Sequence, residues 1–345
     1  MPVRLGVIDV GSNAAQLQVV DARPGAPPLP IHAVKLPTEL GEEAGIDGSI
    51  SGEGANRVVA AVQRALQAAH ELRVDQLCPF VTAAIRDAAN RDEVLERLHC
   101  ETGVRPQYLS GEQEARLTYL AVRSWYGWQA GSLLNIDIGG GSMEVAFGRD
   151  AVPELAVSLP LGAGRVTGEF LRPDPPSPAQ IRELRRYVRR QVREVANRVQ
   201  WEGTPRHAVV TSKTFKQLAR MSGAPRGREG PFVRRTVSRN QVRRCVEQSS
   251  PVPAKKRAHL RGIRPARAWQ ILGGAVVAYE TMRCLGIDAA EFSPWALREG
   301  IMHEHLSSLR SEEPLTLQPL RFIESAGPAT VRALPGHRLG RNHIS

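Results

Sequence analysis

Apolar and polar positions along this chain fall into two periods, and one arrangement occurs twice. Near the N-terminus an apolar run reaches Asp9. A tight turn follows at Gly11, Ser12 and Asn13, and a second apolar run continues through Leu17. In the middle an apolar run reaches Asp137. A turn follows at Gly139, Gly140, Gly141 and Ser142, and a second run continues through Glu144 and Val145. Asp9 aligns with Asp137, Gly11 with Gly139 and Leu17 with Val145 without a gap. Each copy predicts a strand, a turn and an antiparallel strand.

The remaining pattern alternates strands with helices. After the hairpin over 4–21, Pro24 to Pro30 predicts a turn and residues 31–36 a third strand. A polar loop with Gly41, Gly45 and Gly48 follows. Ser51 opens a helix to about Leu72, with Val58, Val62, Leu66 and Ala69 at helical spacing. Residues 77–82 read as a buried strand, Asn90 as the cap of a helix through Leu98, 105–109 as a strand and 112–125 as a helix. Beyond the second hairpin, 173–178 is a linker-like break. The helix over 178–201 carries a stripe of Ile181, Leu184, Val188, Val192, Val195 and Val199. A strand over 208–211 feeds Ser212, Lys213 and Thr214 and a helix to Arg220, and helices follow at 238–249 and 265–285. This alternation predicts an α/β protein.

At 345 residues the chain is long enough for two cores. The expected division is 1–121 and 122–306, with the last helix free to pack back on the first unit. Residues 307–345, rich in Pro, Gly, Arg and Ser, read as a mostly disordered tail. The net charge of +11 points to polyanionic partners. No interleaving of aromatic and basic residues supports nucleic acid as that partner. Cys78, Cys100, Cys245 and Cys284 form no CxxC pair and no zinc spacing, which predicts buried, reduced thiols. The first strand starts almost at once and no run of about 18 apolar residues occurs, so the expectation is a cytoplasmic protein without a membrane span.

The candidate chemistry clusters at the turns. A Gly-rich turn leaves backbone N–H groups pointing outward, a nest for an anion. The Asp before it can hold a cation or a water beside that anion. Two such turns can clamp a phosphate chain from both sides. Arg86 follows a strand end, where α/β ligands bind. Glu112 and Glu114 open a helix after Ser110, where the helix N-terminus favours their ionised form. A capping box on Ser110 accounts for one of them and leaves the other for chemistry.

These segments, together with 161–164, 211–214, 273–275 and 295–300, resemble the exopolyphosphatase and guanosine pentaphosphate phosphohydrolase (Ppx/GppA) family. The likeness runs from residue 4 to about 306 and is nearest to the short, two-domain actinobacterial members. It implies two actin-like (ribonuclease H-like, sugar-kinase-like) domains around a cleft. It implies Glu114 as the catalytic carboxylate that orients or deprotonates water. Asp9, Asp137 and Glu144 would serve Mg²⁺ or Mn²⁺. Gly11, Ser12, Asn13, Gly139, Gly140, Gly141 and Ser142 would hold terminal phosphates, with Arg86 on one side and Ser212, Lys213 and Thr214 on the other. The arginine face over 182–198 is a candidate channel for the rest of a polyanion. The family includes homodimers, so that state stays open.

This chain departs from the family pattern at Ala14, Glu39, Ala266 and the Ser212-Lys213-Thr214 loop. Each lost direct phosphate contact would cost about 1–3 kcal/mol. The leading expectation is an exopolyphosphatase acting on inorganic polyphosphate. Hydrolysis of guanosine pentaphosphate is the alternative within the family. A non-catalytic polyphosphate or alarmone sensor competes from another class, and an actin-like ATPase fits the motifs less well.

Overall fold

The computed structural model of the chain describes residues 3–23, 26–40, 48–308, 320–322 and 331–333. The first sheet is built from β1 (Val3–Val10), β2 (Ala14–Ala22), β3 (His32–Pro37), β4 (Gln76–Val81) and the short β5 (Gln107–Tyr108). Helices α1 (Gly52–Glu71), α2 (Ala83–Arg86), α3 (Arg91–Thr102) and α4 (Gly111–Tyr126) belong to the same half. The second sheet uses β6 (Leu133–Ile138), β7 (Met143–Gly148), β8 (Leu155–Leu159), β9 (His207–Thr211), β10 (Thr236–Ser238) and β11 (Ala289–Phe292). Its helices are α5 (Ala163–Phe170), α6 (Pro178–Glu202), α7 (Ser212–Met221), α8 (Arg239–Ser249), α9 (Ala254–Arg257) and α10 (Ile271–Cys284). Helix α11 (Leu297–Ser308) and strands β12 (Leu320–Phe322) and β13 (Val331–Ala333) complete the described chain.

The internal repeat is visible in the connectivity. The first sheet runs β4-β1-β2-β3 and the second β9-β6-β7-β8. In each, three antiparallel strands are joined by a parallel fourth beside the first. The pair of α/β halves expected from the sequence is the fold. Each half closes its own core. Val58, Val62 and Ala65 of α1 meet Ile8, Val10 and Leu17 of the first sheet. Val188 and Val192 of α6 and Leu272 and Val276 of α10 meet Ile136 and Val145 of the second.

Several boundaries differ from the sequence expectation. The division between 121 and 122 falls inside α4, which runs unbroken because no Gly or Pro interrupts it. Its residues pack on both sheets: Leu117 joins Leu5 and Phe80, while Tyr119 and Val122 join Leu133 and Ala146. Ile301 and Met302 of α11 lie in the first of these clusters. Asn90 is the N-cap residue of α3, as expected, and its carbonyl accepts from Val94 N at 3.1 Å, but its side chain makes no capping bond. Its amide instead bonds both backbone groups of Ile50, accepting from N–H and donating to C=O at 2.9 Å each. Within the expected tail, β12 pairs antiparallel with β4, and β13 with β12. The other positions of 309–345, like Gly41 and Gly45 of the expected loop, lie outside the described residues. Cys100 is exposed and Cys284 half-buried, so only Cys78 and Cys245 are the buried thiols expected. Among the described residues no helix is long and apolar enough to cross a membrane.

Candidate active site

The two hairpin turns face each other across the cleft between the sheets. Gly11 N donates to Ala14 O at 3.1 Å, and at the matching place Gly139 N donates to Ser142 O at 2.9 Å. The turns are close enough that a Cβ on Gly140 would lie 2.2 Å from Ser12 Oγ. The first turn of α5 supports the second hairpin from behind: Ala163 N and Gly164 N donate to Gly139 O and Gly140 O, each at 2.9 Å. Gly162 permits this approach, since its Cβ would meet Gly141 C at 2.2 Å. Among the described residues no protein group accepts from the N–H of Ser12, Asn13, Gly140 or Gly141. All four residues line the cleft, and donors left without a protein acceptor there suit a nest for an anion. Asn13 Nδ2 donates to Ser12 Oγ at 2.8 Å, and Gln270 Nε2 reaches Asn13 Oδ1 from the second half at 3.1 Å.

A cavity of about 280 Å³ lies between the turns. Of the residues expected from the sequence, Asp9, Gly11, Ser12, Asn13, Glu114, Asp137, Gly139 to Ser142, Glu144, Ser212 and Lys213 all line it. Two do not. Thr214 is the third residue of α7, buried, with its methyl turned toward Gly274. Arg86 lies behind the wall, where it holds Glu114. Its Nη1 is bonded to Glu114 Oε1 and donates to Leu109 O at 3.1 Å, while its Nε donates to Asp87 Oδ1 at 2.8 Å. Of the departures, Ala14 lines the cavity. Glu39 is exposed and lies away from it, in a left-handed conformation at φ 52°.

Strand register explains how the acidic groups meet. Ser158, Glu144, Asp137 and Thr211 form one row across β8, β7, β6 and β9. Ser158 Oγ donates to Glu144 Oε1 at 2.8 Å, and Thr211 Oγ1 donates to Asp137 Oδ2 at 2.6 Å. The matching row of the first half is Lys35, Gln16, Asp9 and Phe80. The repeat has therefore diverged: the second half sets a carboxylate opposite its Asp, the first half an amide.

Basic groups gather on the side of Asp9. Arg298 Nη1 reaches Asp9 Oδ2 at 3.2 Å and Gln16 Oε1 at 2.9 Å, and its Nε reaches Gln18 Oε1 at 2.8 Å. Lys213 Nζ contacts Gln16 Oε1 at 3.4 Å. Arg267 and Lys216 also line the cavity. Arg298, Arg267, Gln16 and Thr211 have no role assigned from the sequence. Arg298 and Thr211 carried a signal, being inside the 295–300 and 211–214 motifs.

Burial dominates the electrostatics. It raises Glu114 well above the ordinary carboxylate range, Glu144 adds to this, and Arg86 opposes it. Burial and then Asp137 raise Glu144, against the Ser142 and Ser158 hydroxyls. Asp137, sunk in the cleft floor, is pushed up to about 6 by burial and then by Asp9, against its bond from Thr211. Burial and the nearby Arg298 push Lys213 down to about 7. Burial and Arg264 bring Arg267 down to about 10.

Among the described residues no three of His, Cys, Asp and Glu form a ready-made metal cage. The donors suit magnesium in another way, because that ion takes one or two carboxylates and completes its shell with water and phosphate oxygens. Asp137 and Glu144 supply such a pair, and their raised pKa values mark carboxylates short of compensating positive charge.

Known proteins match this chain over nearly its whole length. The model of the Ppx/GppA phosphatase family matches residues 18–309. Exopolyphosphatase 1 of Mycobacterium tuberculosis (strain H37Rv) is 45% identical over 99% of this chain and 97% of its own. Exopolyphosphatase 1 of Mycobacterium leprae is 44% identical over 89% of this chain and 90% of its own. The crystal structure of an exopolyphosphatase from Cytophaga hutchinsonii has the same fold, with a TM-score of 0.80 at 21% identity, over 88% of this chain and 98% of that one. With the duplicated hairpins, the facing nests and this match in hand, the chain belongs to the Ppx/GppA phosphatase family.

Proposed function

We propose that the protein is a divalent-metal-dependent exopolyphosphatase that removes terminal orthophosphate from linear polyphosphate, with Glu114 as its general base. The observation that carries this reading is the position of Glu114. It is buried, raised in pKa, fixed by Arg86, and lines the same cavity as both turns. The names of the mycobacterial relatives support the substrate.

In this reading the terminal phosphate lies between the turns. It accepts from the backbone N–H groups of Ser12, Asn13, Gly140 and Gly141 and from the Ser12 and Ser142 hydroxyls. Lys213, Arg267 and Arg298 offset its charge. Glu114 takes a proton from water as the water oxygen bonds to the terminal phosphorus. The bridging P–O bond breaks and its electron pair stays on the shortened chain. Mg²⁺ or Mn²⁺ held by Asp137 and Glu144, with Asp9 near, would neutralise phosphate oxygens as that bond breaks.

A second cavity of about 460 Å³, bordered by Leu40, Ile50, Ala83 and Ala88, opens beside the same turns. Its size and apolar wall suit a nucleoside. Cleavage of the 5′ γ-phosphate of guanosine pentaphosphate is therefore the second reading. Phosphate release from long polyphosphate, tripolyphosphate and guanosine pentaphosphate with Mg²⁺ separates them. Release from the polyphosphates at the higher kcat/KM supports the first, and release from the nucleotide alone supports the second. Binding without release from any of the three would leave a sensor.

A further inference from the structure

Gln270 ties the first turn to the second half. It borders the 460 Å³ cavity but not the reacting one. It is the N-cap residue of α10 and 2% exposed, yet its side chain makes no capping bond. The backbone holds it firmly: Gln270 N donates to Arg267 O at 3.2 Å, and Gln270 O accepts from Gly274 N at 3.0 Å. Just before it, the buried Arg257 donates to Ala268 O and Trp269 O at 3.0 and 3.1 Å. From there the side chain crosses to Asn13 of the first half, Nε2 donating to Oδ1 at 3.1 Å. Its Oε1 is buried and has no partner among the described residues. A buried amide oxygen without a donor costs stability. An apolar side chain of the same length would avoid that cost, so the fold does not require an amide here.

The amide sets a polarity. The backbone of the first turn is already held by its own half: Thr38 Oγ1 donates to Gly11 O at 2.8 Å, and Thr38 N to Asn13 O at 3.2 Å. What that half leaves undetermined is which end of the Asn13 amide faces Ser12, because the partners decide it. Asn13 Oδ1 faces the Gln270 donor, so Nδ2 faces Ser12 and donates to its Oγ at 2.8 Å. A hydroxyl has a single proton. With its oxygen accepting from Asn13, Ser12 keeps that proton for an acceptor in the cleft, and among the described residues no protein group takes it. Reversed, Ser12 would donate to Asn13 and its proton would turn away from the cleft. An ionised phosphate oxygen only accepts, so bound phosphate requires the first arrangement, and Gln270 is the donor that completes it.

We propose that Gln270 is a positioning residue: through Asn13 it directs the Ser12 hydroxyl proton at phosphate oxygens bound between the two turns, without touching them. The proposal rests on the reading of those turns as the phosphate site. Gln270 belongs to the second half and Asn13 to the first, so the hydroxyl is aimed only where the halves meet.

The test is a double-mutant cycle on the full chain: wild type, Gln270→Met, Ser12→Ala and the double variant, each with tripolyphosphate and Mg²⁺. Methionine keeps the length of the side chain and removes its donor, and urea unfolding checks the fold. Where Gln270→Met does not fold, Gln270→Ala is read in the same cycle. With Ser12 present, Gln270→Met is expected to lower kcat/KM about tenfold, the loss of one charge-assisted hydrogen bond. In the Ser12→Ala background it is expected to change kcat/KM by about twofold or less, because the hydroxyl it acts through is gone. Equal losses in both backgrounds overturn the proposal, since a merely structural role does not depend on Ser12. No loss in either background also overturns it. Calorimetry of tripolyphosphate binding in EDTA gives the same cycle without turnover, with the same expected ratios. If wild type binds but releases no phosphate, the hydrolase reading fails, while this binding cycle still decides the role of Gln270. Absence of binding by wild type overturns both.

Discussion

Asp137 and Glu144 stand directly opposite one another across the β6–β7 hairpin, a register pair of two carboxylates. Like charges in that relation destabilise a sheet by about 0.2–1 kcal/mol. The first hairpin avoids the conflict by setting Gln16 opposite Asp9. The second retains it, at the point where the proposed reaction needs a cation. Glu144→Gln is therefore expected to stabilise the metal-free protein by up to about 1 kcal/mol in urea unfolding while abolishing phosphate release. A variant that is both less stable and fully active would remove this carboxylate pair from the account.

Arg86 lowers the pKa of Glu114 against burial and Glu144. Removing that positive charge lets the carboxyl rise further, so its ionised form appears at higher pH. For Arg86→Met we expect the acidic limb of the kcat profile to move to higher pH and the rate at neutral pH to fall by about 10²-fold or more. Arg86→Lys is expected to recover part of both. An unshifted limb would mean that Arg86 acts on substrate instead.

Lys213 provides a second pH effect, of opposite origin. Its folded pKa of about 7 lies below the ordinary lysine value of 10.5, so between those limits the free folded protein has shed a proton that the unfolded chain still holds. A bound polyanion restores the charged form. Binding at pH 8 should thus take up a proton, and affinity should fall as pH rises above 7. The sign for stability follows the same difference. The unfolded chain binds the extra proton, so this residue's contribution to stability rises from pH 7 toward 10.5. Calorimetry in buffers of different ionisation enthalpy checks the uptake, which should vanish in Lys213→Met.

Ser212 holds a left-handed φ of 79° at the start of α7. An L-residue pays about 1–2 kcal/mol for that conformation, and Gly does not. The Ser212 hydroxyl returns little of this, since its bond from Phe215 N is long at 3.3 Å and exchanging a capping Ser for Gly costs a few tenths of a kcal/mol. Ser212→Gly should raise stability by about 0.5–1.5 kcal/mol in thermal unfolding. A fall would mean that the hydroxyl does more than this geometry shows.

Much of this site was legible in the sequence because local pattern encodes it. The Asp–Gly turns at Asp9 and Asp137 are short-range signals, and aligning them placed the two nests. Glu114 stood out through its place at a helix start, and Gln113, not a glutamate, completes the capping box with Ser110. What escaped depends on long-range register. Thr211 bonds Asp137 only because β9 lies parallel to β6. Arg298 reaches Asp9 only because α11 returns to the first sheet. Arg86 reads as a phosphate ligand by position, yet Glu114, Leu109 and Asp87 occupy its donors. No periodicity carries that information.

The most direct test of the account is phosphate release from long polyphosphate with Mg²⁺, comparing wild type with Glu114→Gln, an isosteric change that removes only the base. Wild type is expected to release phosphate, and the variant to do so at a rate lower by about 10²–10⁴-fold, with binding of the polyphosphate retained. Equal rates in the two proteins would contradict it.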